Sequence, residues 1–525
     1  MALSPSMNEV QVIIVGAGIG GLTAAVDCAG RGLDVLVLER AAAPGGKIAT
    51  AMVGGKSVDA GPTVLTLLEV FDELFESAGL RREDFVTAVP LDELACHYWP
   101  GGSSLSLHSD IEKSAAAIRA FAGAQEERGF RAFCEASGAI YQALRDTFMF
   151  HDRPANPLSL MLRGGVSGLS GFTRLDPYRP LAAMVGEHFR DPRLRQLFGR
   201  YSTYSGSSPF VAPATLALIA EVERRGVWRI EGGMAAVASG LEQAARALGV
   251  RFAYDCEVAR VETRAGHVQG VTLAGGERIE AEQVVLNADA AALADGLFGD
   301  APARRTRAFD AGDRSFSAFT VALDARLKGV APAHHTVFFS ADSRAEFDAL
   351  AAGRMPKEPT VYACFQDRVE GAPPPTGPER ALLVLNAPAD GDRHAYSAEE
   401  IDRCTNNALL TMARAGLSIE MAAPPSISTP SDFARRFPAT GGALYGRASH
   451  GWMASFRRPG ARTAIPGLYL AGGSVHPGAG VPMAALSGRA AVRALVLDRA
   501  STSTFRKAAT PGGISTPSAR TGATA

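Results

Sequence analysis

The chain has 525 residues, 47% of them hydrophobic and 20% charged, enough apolar material for substantial cores in two or more domains. Lys and Arg number 53 against 54 Asp and Glu, so the charge balance gives no footing for a nucleic-acid partner. The six cysteines, Cys28, Cys96, Cys134, Cys256, Cys364 and Cys404, are widely spaced with no C-x-x-C pair. Neither a metal site nor a disulfide framework is expected from that spacing; buried free thiols in a reducing, cytoplasmic setting are. Met1 to Glu9 has no basic region, and no apolar run approaches the ~20 residues of a membrane-spanning helix. A soluble or peripheral protein is the expectation.

In chain order, Val10 to Val15 reads as a short strand buried on both faces, Leu22 to Ala29 as a helix of small apolar residues, and Leu33 to Leu38 as a second buried strand. This is a βαβ unit. Its first turn carries G-x-G-x-x-G at Gly16, Gly18 and Gly21. Gly16 permits the tight turn, Gly18 lets backbone approach a pyrophosphate, and Gly21 allows close contact of helix and strand, with the helix N-terminus facing the anion. Such glycines alone are common, but Glu39 stands at the end of the next strand, about 20 residues on, where it can accept hydrogen bonds from both ribose hydroxyls. A dinucleotide site without a 2′-phosphate is predicted.

From about Phe85 to Gly226 the pattern is mixed, with a Gly/Ser/Pro-rich loop from Arg163 to Pro180. Regularity returns at Gly232-Gly233-Met234, followed by a helix over Ala235 to Leu248. The runs Arg251 to Thr263, Gly266 to Leu273 and Glu277 to Ala288 read as a meander ending in the buried strand Gln283 to Leu286. A second irregular block reaches about Pro459. Leu468 to Ala471 is then a short strand, followed by a Gly-rich loop, a helix over Met483 to Leu497 and a tail from Ser501 expected to be disordered. The predicted organisation alternates: cofactor segments at 7–84, 226–299 and 460–499, substrate segments at 85–225 and 300–459, and a tail at 500–525.

Arg40, Pro44-Gly45-Gly46-Lys47 and Asp59-Ala60-Gly61-Pro62 resemble the R-x-x-x-x-G-G region of the amine oxidase and phytoene desaturase superfamily of flavoproteins. The resemblance implies an α/β fold with α+β insertions: a Rossmann-like FAD-binding domain and a discontinuous substrate domain. It implies non-covalent FAD, with Gly45 and Gly46 close to the diphosphate and ribityl chain and Gly61 and Pro62 lining the same site. Lys47 either reaches a phosphate or flavin edge or is an ordinary surface lysine. Val258 either backs the adenine or is a core valine, and Asn287-Ala288-Asp289 matches a turn beneath the cofactor.

The run Gly472-Gly473-Ser474-Val475-His476-Pro477-Gly478-Ala479-Gly480-Val481-Pro482-Met483 is more specific, and resembles bacterial carotenoid desaturases. Gly473 stands where many FAD enzymes have an Asp, so no acid–ribityl contact is carried over. Pro482 suits a first helical turn, and a helix starting at Met483 would aim its N-terminal dipole at the flavin and favour negative charge there. Together with Gly226 to Met234, this motif looks most like the hydroxycarotenoid desaturases, which act on hydroxyneurosporene-type substrates. That implies loss of an allylic hydride to flavin N5 and of a neighbouring proton, forming the C3–C4 double bond of a 1-hydroxycarotenoid. The electrons would leave to oxygen or a quinone.

His476 either orients substrate as an active-site residue or bonds loop backbone; a polyene C–H needs no general base. Phytoene desaturase, carotenoid isomerase and amine oxidase activities stand as alternatives in the superfamily. A prenyl-binding escort protein without flavin is the non-enzymatic one, disfavoured by the intact glycines and Glu39. An apolar carotenoid must be collected from lipid, so a peripheral membrane contact is expected, with Phe148, Met149, Phe150, Leu158, Leu160, Met161 and Leu162 as its candidate patch or as core of the substrate domain.

Overall fold

The computed structural model describes residues 9–163 and 175–508, without the side chains of 9 and 502–508. Most of the expected Arg163 to Pro180 loop lies outside them. The strand Glu9–Val15 pairs in parallel with Val35–Leu38 on one side and Arg278–Leu286 on the other. Ile13 and Ile14 are fully buried on opposite faces; each side chain contributes roughly 1.5–3 kcal/mol by leaving water. The helix Ile19–Gly30 is buried along nearly its whole length, which only small residues such as Thr23, Ala24 and Ala25 permit. Gly488 of the last helix crosses it so closely that a Cβ would lie 2.3 Å from the Gly20 carbonyl oxygen.

The meander Val258–Arg264, His267–Leu273, Arg278–Leu286 is antiparallel, as its alternating pattern predicts, and Leu468–Leu470 joins the same sheet in parallel. Arg251 to Thr263 is not one run, however. Arg251–Ala253 pairs in parallel with Val35–Leu38 at the opposite edge. The break falls at Asp255, in the left-handed region at φ 52°, where the chain hooks around Glu39 through Cys256 N–H donating to the Glu39 carbonyl at 2.9 Å. The last helix also corrects the expected tail: it spans Val481–Ala508. Ser501 Oγ satisfies itself on the Leu497 carbonyl at 3.0 Å and Arg499 pairs with Glu282 at 2.8 Å, so polar residues there do not end the helix. Residues 509–525 lie outside the described residues.

A second, largely antiparallel sheet runs in the order Leu417–Met421, Ser317–Gly329, Glu379–Ala387, Val361–Phe365, His335–Phe338, Glu93–Tyr98, Ser104–His108. Its register sets Ala318 opposite Asn386 and Thr320 opposite Val384, with Tyr362 across from Val384. Alternation with period two puts these five side chains on one face. That face is a wall of the main cavity. Helices between residues 111 and 224 cover it, centred on Phe133, Phe189 and Phe198, the last two stacked at 4.5 Å.

Candidate active site

One cavity of about 990 Å³ opens at the C-terminal ends of the parallel strands and is continuous with the space over the second sheet. That is the usual ligand position in a twisted α/β sheet. All the predicted cofactor residues except Gly21 line it: Gly16, Gly18, Glu39, Arg40, Gly45, Gly46, Lys47, Gly61, Pro62, Val258, Gly472, Gly473, Val481, Pro482 and Met483. Gly21 acts from behind the turn, where a Cβ would stand 2.1 Å from the Gly16 carbonyl oxygen. Gly16 has φ +98°, which an L side chain rarely adopts.

Glu39 is buried, with Oε2 accepting from Ala17 N–H at 2.6 Å and Oε1 from Ala41 N–H at 2.8 Å. Each oxygen keeps a lone pair for a ribose hydroxyl. Gly45 N–H donates to the Ala17 carbonyl at 2.9 Å, binding the second glycine loop to the first. Arg40 is exposed and donates to the Arg436 carbonyl, while Arg436 reaches Gly46 O at 3.2 Å. Burial lowers the Arg436 pKa from its usual value. It lies far from the glycine motifs in sequence, and nothing local marks it.

At the other end of the groove, Asp59 Oδ2 accepts from Met234 N–H at 2.8 Å, joining the Gly61-Pro62 segment to the Gly232-Gly233-Met234 turn. Burial raises the Asp59 pKa. Lys47 lines the cavity, but its Nζ donates to the Leu444 carbonyl at 2.6 Å and lies 5.3 Å above the Phe437 ring; burial lowers its pKa. Arg458 is buried beneath the C-terminal loop, donating to the carbonyls of Tyr445 at 2.9 Å, Gly473 at 3.2 Å and Arg447 at 2.8 Å. Desolvation brings it down to about 10. Asp289 caps the helix Ala290–Ala294 through one carboxylate oxygen and keeps the other buried without a hydrogen-bond partner.

His476 does not line the cavity. Its Nε2 lies 2.9 Å from the Phe148 carbonyl and 3.0 Å from that of His151, and the ring meets the Phe148 ring edge-on at 4.5 Å. Of its two expected roles, these contacts match the bonding of loop backbone. Burial drives its pKa down to about 4, keeping the ring neutral. The Phe148 to Leu162 stretch splits by helical period. Phe148, Met149, Pro157 and Leu160 line the cavity, whereas Leu158 and Leu162, four apart, are 63% and 74% exposed. A trio that spacing did not reveal is half-buried His334 with buried His335 and Cys364, whose donor atoms lie within 4.8 Å of one another.

The residues present fit FAD. The glycine turn can be approached closely, Glu39 offers free lone pairs at the ribose end, and Asp289 keeps an unpartnered carboxylate oxygen among the cavity-lining residues. FAD supplies hydride acceptance when bound. The model of flavin-containing amine oxidoreductases matches residues 19–496. Hydroxyneurosporene desaturase from Rubrivivax gelatinosus is 47% identical, over 98% of both chains. The Cereibacter sphaeroides protein of that name is 44% identical over 94% of this chain and 99% of its own. A putrescine oxidase structure superposes with a TM-score of 0.59 at 17% identity, covering 93% of this chain and 99% of that one. The chain belongs to the flavin-containing amine oxidoreductase family and, within it, to the bacterial carotenoid desaturases, FAD-dependent oxidoreductases of α/β fold.

Proposed function

We propose that the protein introduces the C3–C4 double bond into an acyclic 1-hydroxycarotenoid of the hydroxyneurosporene type. The observation that carries this is the continuity of the cavity: the groove lined by the glycine motifs runs into a chamber lined by Leu144, Phe148, Leu160, Leu216 and Ile219. An extended polyene fits such a chamber, and the relatives named above act on hydroxyneurosporene by name. The chain's own task is positioning and exclusion of water. Val481 and Pro482 open a long helix beside Gly472 and Gly473, so its N-terminal dipole favours the negative charge that hydride acceptance creates.

Segments 7–84, 226–299 and 460–499 hold the cofactor in this reading, and 85–225 and 300–459 enclose the substrate. Arg436 is an exception, a cofactor-side cation from a substrate segment. The chamber's mouth faces a membrane. Tyr178 is 71% exposed and its ring lies 5.2 Å from that of Trp452, next to the lining residues Leu175 and Pro177. With Leu158 and Leu162 these form an apolar rim suited to lipid. No helix among the described residues is long and apolar enough to cross a bilayer.

The test is product analysis. The flavin-loaded protein is given hydroxyneurosporene, neurosporene and phytoene separately, with oxygen or a soluble quinone as acceptor. The expected result is a product two hydrogens lighter, with an added conjugated double bond at C3–C4, from hydroxyneurosporene. Turnover of phytoene alone would overturn the reading.

A further inference from the structure

The chamber's lining includes one connected set of charged and phenolic groups. The 3₁₀ helix Arg200–Ser205 carries Arg200 and Tyr204 four residues apart, and the helix Leu218–Arg224 brings Glu223 against them. The Tyr204 hydroxyl donates to Glu223 Oε1 at 2.8 Å, and Tyr201 donates to Oε2 from behind. The Arg200 guanidinium lies 5.6 Å from the ring centres of both Tyr204 and Tyr362. Among the described residues it makes no ion pair. Tyr362 Oη is 2.7 Å from Thr63 Oγ1 and 2.8 Å from His335 Nδ1. Arg200, Tyr204, Glu223, Tyr362 and Thr63 all line the cavity, and Thr63 directly follows Pro62 of the cofactor segment.

A wholly hydrocarbon ligand would leave this cation and carboxyl group desolvated against it, at a cost. An alcohol is one donor and an acceptor with two lone pairs. It can accept from Arg200 while donating to the oxygen of Tyr204 or Glu223. We propose that Arg200, Tyr204 and Glu223 form a subsite for the tertiary hydroxyl of the substrate's end group, and so determine specificity for hydroxylated over hydrocarbon ends. The inference rests on the 1-hydroxycarotenoid reading above. In that substrate the hydroxyl-bearing C1 is only two bonds from C3, so an anchor beside the cofactor segment is where the reacting bond needs it. Burial raises the Glu223 pKa, against the hydrogen bonds of Tyr201 and Tyr204 and the charge of Arg200, which lower it.

The test separates binding from turnover. Dithionite-reduced holoenzyme, which cannot accept a hydride, is incubated with an equimolar detergent solution of hydroxyneurosporene and neurosporene, and the carotenoids retained are extracted and quantified. Wild type should retain the hydroxylated form about tenfold or more in excess, the worth of a hydrogen bond to a charged partner. The excess should collapse in flavin-loaded Arg200→Met and Glu223→Gln and shrink in the near-isosteric Tyr204→Phe. Equal retention by wild type, or an excess unchanged in all three variants, overturns the subsite. Turnover is then measured with oxidised enzyme. Preferential retention without desaturation would sustain the subsite and defeat the proposed reaction. Desaturation without preference would do the reverse.

Discussion

The side-chain amide of Asn287 donates to the carbonyl oxygen of Gly16 at 3.2 Å, across 271 residues of sequence. The same side chain fills the space that a Cβ on Gly18, Gly20 or Gly472 would need. It therefore fastens the first glycine turn to the last glycine loop from beneath. Asn287→Leu removes the donor and forces a branched group into that seam. Flavin content should fall sharply, and stability by roughly 1–3 kcal/mol, read by denaturant unfolding of the apoprotein. Full flavin occupancy with unchanged unfolding would show that the seam is not a fastening.

Glu39→Ala should weaken FAD binding by on the order of 1–3 kcal/mol, because charge-assisted bonds to the ribose are lost. The Ala17 and Ala41 amides also lose their acceptor. Titration of apoprotein with FAD checks this. Unchanged affinity in a folded variant would remove Glu39 from the site.

His476 predicts a pH dependence. Its pKa is about 6.5 in the unfolded chain and about 4 when folded, so between those values the unfolded state binds the extra proton. Stability contributed by the neutral buried ring is complete above pH 6.5, is lost as pH falls toward 4, and changes no further below it. The loss from this group is up to about 3 kcal/mol. His97, also buried and pushed down to about 3, adds to the slope. His476→Gln keeps a donor for the two carbonyls without titrating, so its stability should fall less over that range. An identical slope in urea unfolding would contradict the assignment.

At the rim, Leu158→Ser, Leu162→Ser and Tyr178→Ser combined should reduce flotation with liposomes while leaving flavin bound. The three side chains are exposed in the free protein and so contribute little to its core. Flotation equal to wild type would mean that another face meets the membrane.

The cofactor half was legible because its signals are local. Gly16, Gly18, Gly21 and Glu39 declare themselves by spacing, and Val481-Pro482-Met483 by a helix start. What stayed hidden depends on sheets that bring distant residues together. Asp59 meets Met234 175 residues later, and Arg436 meets Gly46 from 390 residues away. Antiparallel register alone sets His335 opposite Cys364, so no C-x-x-C or His spacing announced that trio. The polar cluster is hidden likewise, since Arg200, Glu223 and Tyr362 come from a turn, a helix and a strand. Sequence leaves His476 two roles, because it does not say which side of a loop faces a cavity.

In the proposed reaction, cofactor and polyene occupy one cavity. Anaerobic mixing of flavin-loaded protein with hydroxyneurosporene, in the absence of any other acceptor, tests it most directly. The oxidised-flavin absorbance should be lost in step with formation of one equivalent of a carotenoid two hydrogens lighter. A flavin that stays oxidised while carotenoid is bound would contradict it.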